Sequence, residues 1–202
     1  MDMDWFLYEK EAAQKGYSAV CGIDEAGRGP LAGPVFAAAV ILPAEVEIPG
    51  LNDSKKLTAK KREALFPLIQ EKAVSWSVAF ATESEIDEIN ILQATYLAMR
   101  RACEGLSVPA DYALVDGNRM PPLSMPGETI VKGDGLSASI AAASVLAKVS
   151  RDRLMLELDS LYPEYQFAKH KGYGTALHVD LLRKYGPCPI HRRSFLTKIL
   201  KD

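Results

Sequence analysis

The sequence predicts an α/β fold with a helical C-terminal extension. Two observations carry the prediction. Short apolar runs alternate with amphipathic helical stretches up to about residue 160, and beyond that point only helices and loops can be read. A third observation concerns chemistry: three of the strand-like runs end at, or just before, an aspartate, and two of these aspartates stand beside a glycine.

The elements follow in order. "WFLYEKEAAQKGY" (5–17) combines good helix formers with Asp2 or Asp4 as a cap and Gly16 as a stop. "AVCGIDE" (19–25) and "VFAAAVIL" (35–42) read as two adjacent strands; the glycines and prolines of "AGRGPLAGP" between them mark a turn. "LNDSKKLTAKKREALFPLIQEKA" (51–73) is a loop leading into a helix that Thr58 caps, with Leu65, Leu68 and Ile69 on one face and a kink expected at Pro67. "SWSVAFAT" (75–82) alternates as a strand does. "ESEIDEINILQATYLAMRRACEG" (83–105) places Ile86, Ile89, Leu92 and Tyr96 at helical spacing before Gly105. "DYALVDGNR" (111–119) and "GETIVKGDG" (127–135) are a fourth and a fifth strand with similar endings. In "SASIAAASVLAKVSRDRLMLELDSLYP" (137–163) the small residues of the first half require close packing, which the sheet would supply.

Composition narrows the class. The chain has 202 residues, 48% apolar and 25% charged, enough for a single compact domain over 1–202. Its α/β core is expected over about 17–160 and its helical region over about 161–202. The longest apolar stretch, Leu31 to Leu42, is broken by Pro34 and stopped by Pro43, well short of the roughly 20 residues that cross a bilayer. The acidic N-terminus lacks the pattern of a secretory signal, so a cytoplasmic protein without a membrane partner is expected. Cys21, Cys103 and Cys188 lack paired spacing and read as reduced thiols; Cys188 and His191 form a lone CxxH without a second ligand pair. Net charge is −2, but residues 148–202 carry 11 Lys plus Arg against 6 Asp plus Glu, and the rest 13 against 20. A basic tail on an acidic body suits a docked polyanion, and equally a solvated helical face.

In open α/β sheets functional groups collect at the carboxyl ends of strands. Asp24 ends the first strand, Asp116 ends the fourth and Asp134 follows the fifth; Glu25 makes a fourth acid. Two like charges 4 Å apart repel by about 4 kcal/mol at an effective dielectric near 20, so a converged cluster needs cations. All-oxygen donors favour magnesium or manganese, whose natural use is phosphoryl chemistry. Neighbours on a strand point to opposite faces, so Glu25 differs from Asp24. Either the strand has broken, or Glu25 offers its carbonyl, or it pairs with a base. "GRGPLAGP" is not a dinucleotide fingerprint, because Gly33 falls one place late and Pro30 has no amide.

"GIDEAGRGPLAGPV", "LNDSKKL", "VDGN", "VKGD", "IAAASVLAKVSRD", "HKGYGT" and "HRRSF", in this order over residues 19–195, closely resemble bacterial ribonuclease HII. The resemblance implies the ribonuclease H-like fold: a five-stranded mixed sheet flanked by helices. It implies that Asp24, Glu25, Asp116 and Asp134 are the catalytic acids and hold two Mg2+ or Mn2+ ions. The implied substrates are RNA/DNA hybrids and DNA duplexes with an embedded ribonucleotide, cut on its 5′ side to leave 3′-hydroxyl and 5′-phosphate ends, as in ribonucleotide repair. Gly27, Arg28 and Gly29 match the family's GRG loop, where glycine lets the backbone approach a ribose edge and read its 2′-hydroxyl. Tyr173 matches the tyrosine that senses the RNA-to-DNA junction. Asp53, Ser54, Lys55 and Lys56 resemble a loop near the substrate; Lys169, Lys171, Arg192 and Arg193 are candidate phosphate contacts. The chain departs from the family pattern where Gly133 and Gly135 flank Asp134, which adds backbone freedom there. The expected state is a monomer. The related ribonuclease HIII type lacks the GRG loop, and a catalytically silent binding module would have lost the acids.

Overall fold

The structure, a computed structural model, describes residues 4–200. Asp2, one of the two predicted caps, lies outside the described residues. Asp4 accepts the amide of Phe6 at 3.0 Å, ahead of helix α1 (Leu7–Gln14). Five strands follow, interleaved with helices: β1 (Val20–Ala26), β2 (Val35–Ile41), β3 (Ser75–Ala81), β4 (Tyr112–Asp116) and β5 (Gly127–Ile130). They form one mixed sheet in the order β3-β2-β1-β4-β5. β1, β2 and β3 are antiparallel; β4 and β5 join parallel to β1.

Helices cover both faces. α3 (Glu83–Glu104) packs on one, against Ile23, Val35, Ala37 and Ala39. α4 (Ala138–Leu161) covers the other, with α2 (Ala59–Lys72) beside it, in a core of Ala38, Val40, Ile69, Ala142 and Leu146. The small-residue half of α4 lies directly on β1: a Cβ on Gly22 would stand 2.1 Å from the Ser139 carbonyl carbon. Leu146 is fully buried, and its truncation to Ala would cost about 2–5 kcal/mol.

Two predicted helix faces shift. In α2, capped by Thr58 and containing Pro67, the buried stripe runs through Leu65, Phe66 and Ile69, the side toward α4, and Leu68 is 37% exposed. In α3 only Ile86 of the predicted stripe is fully buried; Ile89, Leu92 and Tyr96 are half-buried. Asn90 is the cause. Its backbone is left-handed at φ 68°, and its side chain accepts the amides of Leu92 and Gln93, capping a second half-helix. The core face after this break becomes Ala94, Ala98, Met99 and Ala102. Leu92 and Tyr96 turn instead toward the carboxyl end of the sheet.

After α4 come α5 (Phe167–His170), α6 (Ala176–Tyr185) and α7 (Arg193–Leu196). Backbone bonds tie this region to the segment between β1 and β2: Leu31 N–H to Gly172 O, Gly33 N–H to Ile190 O and Arg192 N–H to Leu31 O, all within 2.9 Å. Among the described residues no helix is long and apolar enough to cross a membrane.

Candidate active site

Strand register gathers the acids. β1 and β4 run parallel with Val20 opposite Tyr112 and Ile23 opposite Val115, so Asp24 and Asp116 come side by side at the strand ends. Both lie on the face toward α4. Asp134 enters from a tight 3-10 turn, Gly133–Gly135, which follows a left-handed Lys132. The Asp116 carboxylate accepts the Gly133 amide at 2.7 Å and so ties the two acidic segments together. β1 is unbroken through Ala26, with Glu25 opposite Ala37 on β2, which removes the broken-strand reading of Glu25. Glu25 instead faces Arg28, whose guanidinium lies 3.5 Å from its carboxylate.

The electrostatics are those of an overcrowded anionic cluster. Burial, reinforced by the charges of Glu25, Asp116 and Asp134, raises the Asp24 carboxyl well above the ordinary range. Burial also raises Glu25, against the opposing pull of Arg28. Asp116 is raised by burial and by Asp134, against the amides of Gly133 and Asp134. The Lys55 ammonium reaches the buried Asp134 at 3.0 Å. Partial burial works to lower the Lys55 pKa, but this partner raises it overall.

Each aspartate therefore has an internal partner: Asp24 takes the Glu25 amide at 2.7 Å, Asp116 the Gly133 amide, and Asp134 Lys55. Among the described residues, no three His, Cys, Asp or Glu side chains stand together as a ready-made metal cage. The donor set is all carboxylate oxygen, half-buried to buried, with the pKa values of Asp24, Glu25 and Asp116 raised and one cation already drawn in at Asp134. That chemistry fits hard divalent cations and no softer ion.

A cleft of about 270 Å³ opens over the acids, lined by Asp24, Glu25, Asp116, the Gly27–Gly29 loop, Ser54, Lys55 and Tyr173. A second, of about 490 Å³, lies beyond Glu25 and Arg28 and is walled by Tyr96, Asn118 and Arg119. Tyr173 is 41% exposed beside Gly29, with the Lys148 and Arg151 cations 5.9 and 5.8 Å from its ring. Asp53 is not in the cleft wall. It caps the 3-10 turn Ser54–Lys56 by accepting the Lys55 amide at 2.9 Å, and so aims Ser54 and Lys55. Ser54 is buried against the hydroxyl of Ser144.

Arg192 requires correction. The sequence suggested a phosphate contact, but its side chain is fully buried and gives its N–H groups to the carbonyls of Gly27, Arg28 and Gly33 at 2.6–2.9 Å. Fully buried and held by three carbonyls, this guanidinium does not reach a substrate in the cleft. Arg151, also fully buried, does the same for Ala32, Pro34 and Lys171. Lys169 and Lys171 also stand away from the cleft wall: Lys169 bonds Gln166, and Lys171 turns onto the Ala168 carbonyl. Lys56 pairs loosely with Asp53, and the Arg193 amide is held by Asp87.

The two arginines explain the loop's polarity. The chain has no cis peptide among the described residues, so carbonyls of Gly27 and Arg28 turned inward put the amides of Arg28 and Gly29 on the other side. No protein acceptor among the described residues takes those amides. Gly27 is obligatory for internal reasons, at φ +94° with its missing Cβ 2.1 Å from Arg151 Nε. Gly29 is different. A Cβ there would meet only a Tyr173 ring carbon at 3.9 Å, so the space beside it is open. Sequence reasoning missed Arg62, Ser144 and Lys148 in the cleft wall. For Ser144 and Lys148 the signal was their spacing with Arg151, at i, i+4 and i+7 on one face of α4.

Comparison with known proteins agrees with this geometry. The family model described as Ribonuclease HII matches residues 21–198. Ribonuclease HII of Caldicellulosiruptor saccharolyticus is 55% identical over 201 residues, 100% of this chain and 98% of the relative. The crystal structure of ribonuclease H2 from Pyrococcus horikoshii OT3 superposes with a TM-score of 0.72 at 28% identity, covering 88% of this chain and 93% of that one. Bst-RNase HIII in complex with Mn2+ shares the fold at TM-score 0.67 and 18% identity, over 89% of this chain and 67% of that one. With the mixed sheet, the strand-end acids and the GRG loop in place, the chain belongs to the ribonuclease HII family and is an endoribonuclease acting on RNA/DNA hybrids.

Proposed function

We propose that the chain, acting as a single catalytic domain, hydrolyses the RNA strand of hybrids and also cuts 5′ of a lone ribonucleotide in duplex DNA. The observation that carries this reading is the pairing of buried, mutually repelling acids with a loop whose amides face outward beside Tyr173. Asp24, Glu25, Asp116 and Asp134 would hold magnesium or manganese, two ions per site, supplying Lewis acidity for phosphodiester hydrolysis. The amides of Arg28 and Gly29 offer donors to a ribose edge and its flanking phosphate, and the 2′-hydroxyl is the group that separates RNA from DNA. Tyr173 offers a ring face to the sugar or base that follows. Lys55 and Lys148 on the cleft wall supply charge for the backbone, which sets affinity without choosing sequence. Products are a 3′-hydroxyl and a 5′-phosphate. The reading places the enzyme in the cytoplasm, as a monomer, in removal of misincorporated ribonucleotides.

The test is an end-labelled DNA duplex carrying one ribonucleotide, incubated with magnesium, manganese or a chelator. A single nick 5′ of the ribose with either metal, absent in chelator, is expected. Uncut duplex with both metals, or a nick 3′ of the ribose, would refute the assignment.

A further inference from the structure

All three histidines of the chain are buried in one cluster behind Tyr173, outside the acidic site. Their partners fix the direction of every hydrogen bond. The Cys188 amide donates to His191 Nδ1 at 3.0 Å, so His191 carries its proton on Nε2. That N–H meets His178 Nε2 at 3.0 Å, which must therefore accept. His178 then carries its proton on Nδ1, which faces the Tyr173 carbonyl at 2.9 Å. The same carbonyl also accepts the Thr175 amide, and the Tyr173 amide donates to the His170 carbonyl. His170 stacks on His178 at 4.3 Å, accepts the Gly172 amide on Nδ1 and donates from Nε2 to the Tyr165 carbonyl. Every ring nitrogen thus has a partner, His191 Nδ1 also lying 3.1 Å from the Cys188 sulfur, with all three rings neutral.

We infer that the hydrogen-bond chain from Cys188 N–H through His191 and His178 to the Tyr173 carbonyl is a positioning device for junction recognition. It sets the tyrosine's backbone, and hence its ring beside Gly29, by a relay that works in only one tautomeric order. His178 and His191 are positioning residues; neither lines the cleft. The fold alone did not require this solution, since an apolar residue would fill the same space beside Phe167 without orienting the peptide. Burial keeps the rings neutral, with His178 and His191 both lowered to about 4. The inference rests on the proposed role of Tyr173 at the ribose junction.

Two measurements test it. Long-range nitrogen–proton correlation NMR on the 15N-labelled protein near neutral pH reads the tautomers directly. His178 protonated on Nδ1, with His170 and His191 on Nε2, is expected; an Nε2-protonated His178 overturns the chain. The second compares His178→Asn, whose shorter side chain places its amide N–H where Nδ1 faces the Tyr173 carbonyl, with His178→Gln, whose longer one carries the amide to the Nε2 position facing His191. Cleavage of a duplex with one ribonucleotide is compared with cleavage of a long RNA/DNA hybrid, alongside thermal melts. In His178→Gln the ratio of the two rates falls by on the order of tenfold, and His178→Asn restores most of it. Combining His178→Gln with Tyr173→Ala adds no further loss on the junction substrate. Equal losses on both substrates that follow the melting temperature, or full additivity with Tyr173→Ala, would reduce the histidines to packing. A Tyr173→Ala enzyme that keeps the wild-type ratio would overturn the tyrosine's role itself, and this inference with it.

Discussion

Gly29→Ala separates folding from substrate contact more sharply than any other change in the cleft. Gly29 does not adopt a left-handed backbone, and its added methyl would have one protein neighbour, a Tyr173 ring carbon at 3.9 Å, an ordinary contact. Stability should therefore hold or rise by up to about 1 kcal/mol through reduced freedom of the unfolded chain. The methyl would, however, stand between the outward amides of the loop and a ribose. Displacing reacting groups by about 1 Å costs on the order of a hundredfold, close to 3 kcal/mol of transition-state stabilisation. The expected pairing is an unchanged or slightly raised melting temperature with kcat/KM for a single-ribonucleotide duplex down by about two orders of magnitude. Gly27→Ala supplies the contrast. Its Cβ would lie 2.1 Å from Arg151 Nε at φ +94°, so it should lose about 3 kcal/mol or more, a fall of roughly 6–12 °C in a chain of this size. Thermal melts and gel-based cleavage rates on both variants are sufficient. A Gly29→Ala enzyme that cuts at the wild-type rate would refute the outward-facing loop.

Three further outcomes are expected. Asp24→Asn should abolish cleavage while raising the melting temperature, because it removes a buried charge repelled by Glu25 and Asp116; a gain on the order of 1 kcal/mol, or 2–4 °C, is checked by calorimetry. Arg192→Met should strand three buried carbonyls and destabilise by about 3 kcal/mol or more, and Arg192→Lys should recover only part because one ammonium cannot span the fork; urea unfolding measures both. Stability should also fall as pH drops from 6.5 through 4. His178 and His191 take up protons in the unfolded chain near 6.5 but in the folded one only near 4, so the unfolded state binds more protons throughout that window. The contribution is a few kcal/mol at most, and urea midpoints at pH 7 and pH 5 on wild type and His178→Asn should separate it from the carboxylates.

Most of the fold was legible because its signals are local. The five strands, the Thr58 cap, Gly105 and the small-residue half of α4 follow from propensity and periodicity. The acids were legible by position: strands that run parallel deliver their last side chains to one end, as Asp24 and Asp116 show. What escaped depended on single backbone choices or on partners distant in the chain. The left-handed Asn90 rotated the core face of α3, and nothing in the spacing of Leu92 and Tyr96 announces it. Arg192 in "HRRSF" reads as a surface base until the Gly27–Gly33 carbonyls, more than 150 residues earlier, are placed around it. Three histidines scattered over 22 residues give no motif; only the fold stacks them behind Tyr173.

The central proposal is that Asp24, Glu25, Asp116 and Asp134 together hold a pair of hard divalent cations. Manganese binding followed by electron paramagnetic resonance, on the intact protein with a DNA duplex carrying a non-cleavable ribose analogue, tests it most directly. The account predicts two bound ions per chain in wild type and loss of at least one in both Asp24→Asn and Asp134→Asn. Identical titrations for wild type and the two variants would contradict it.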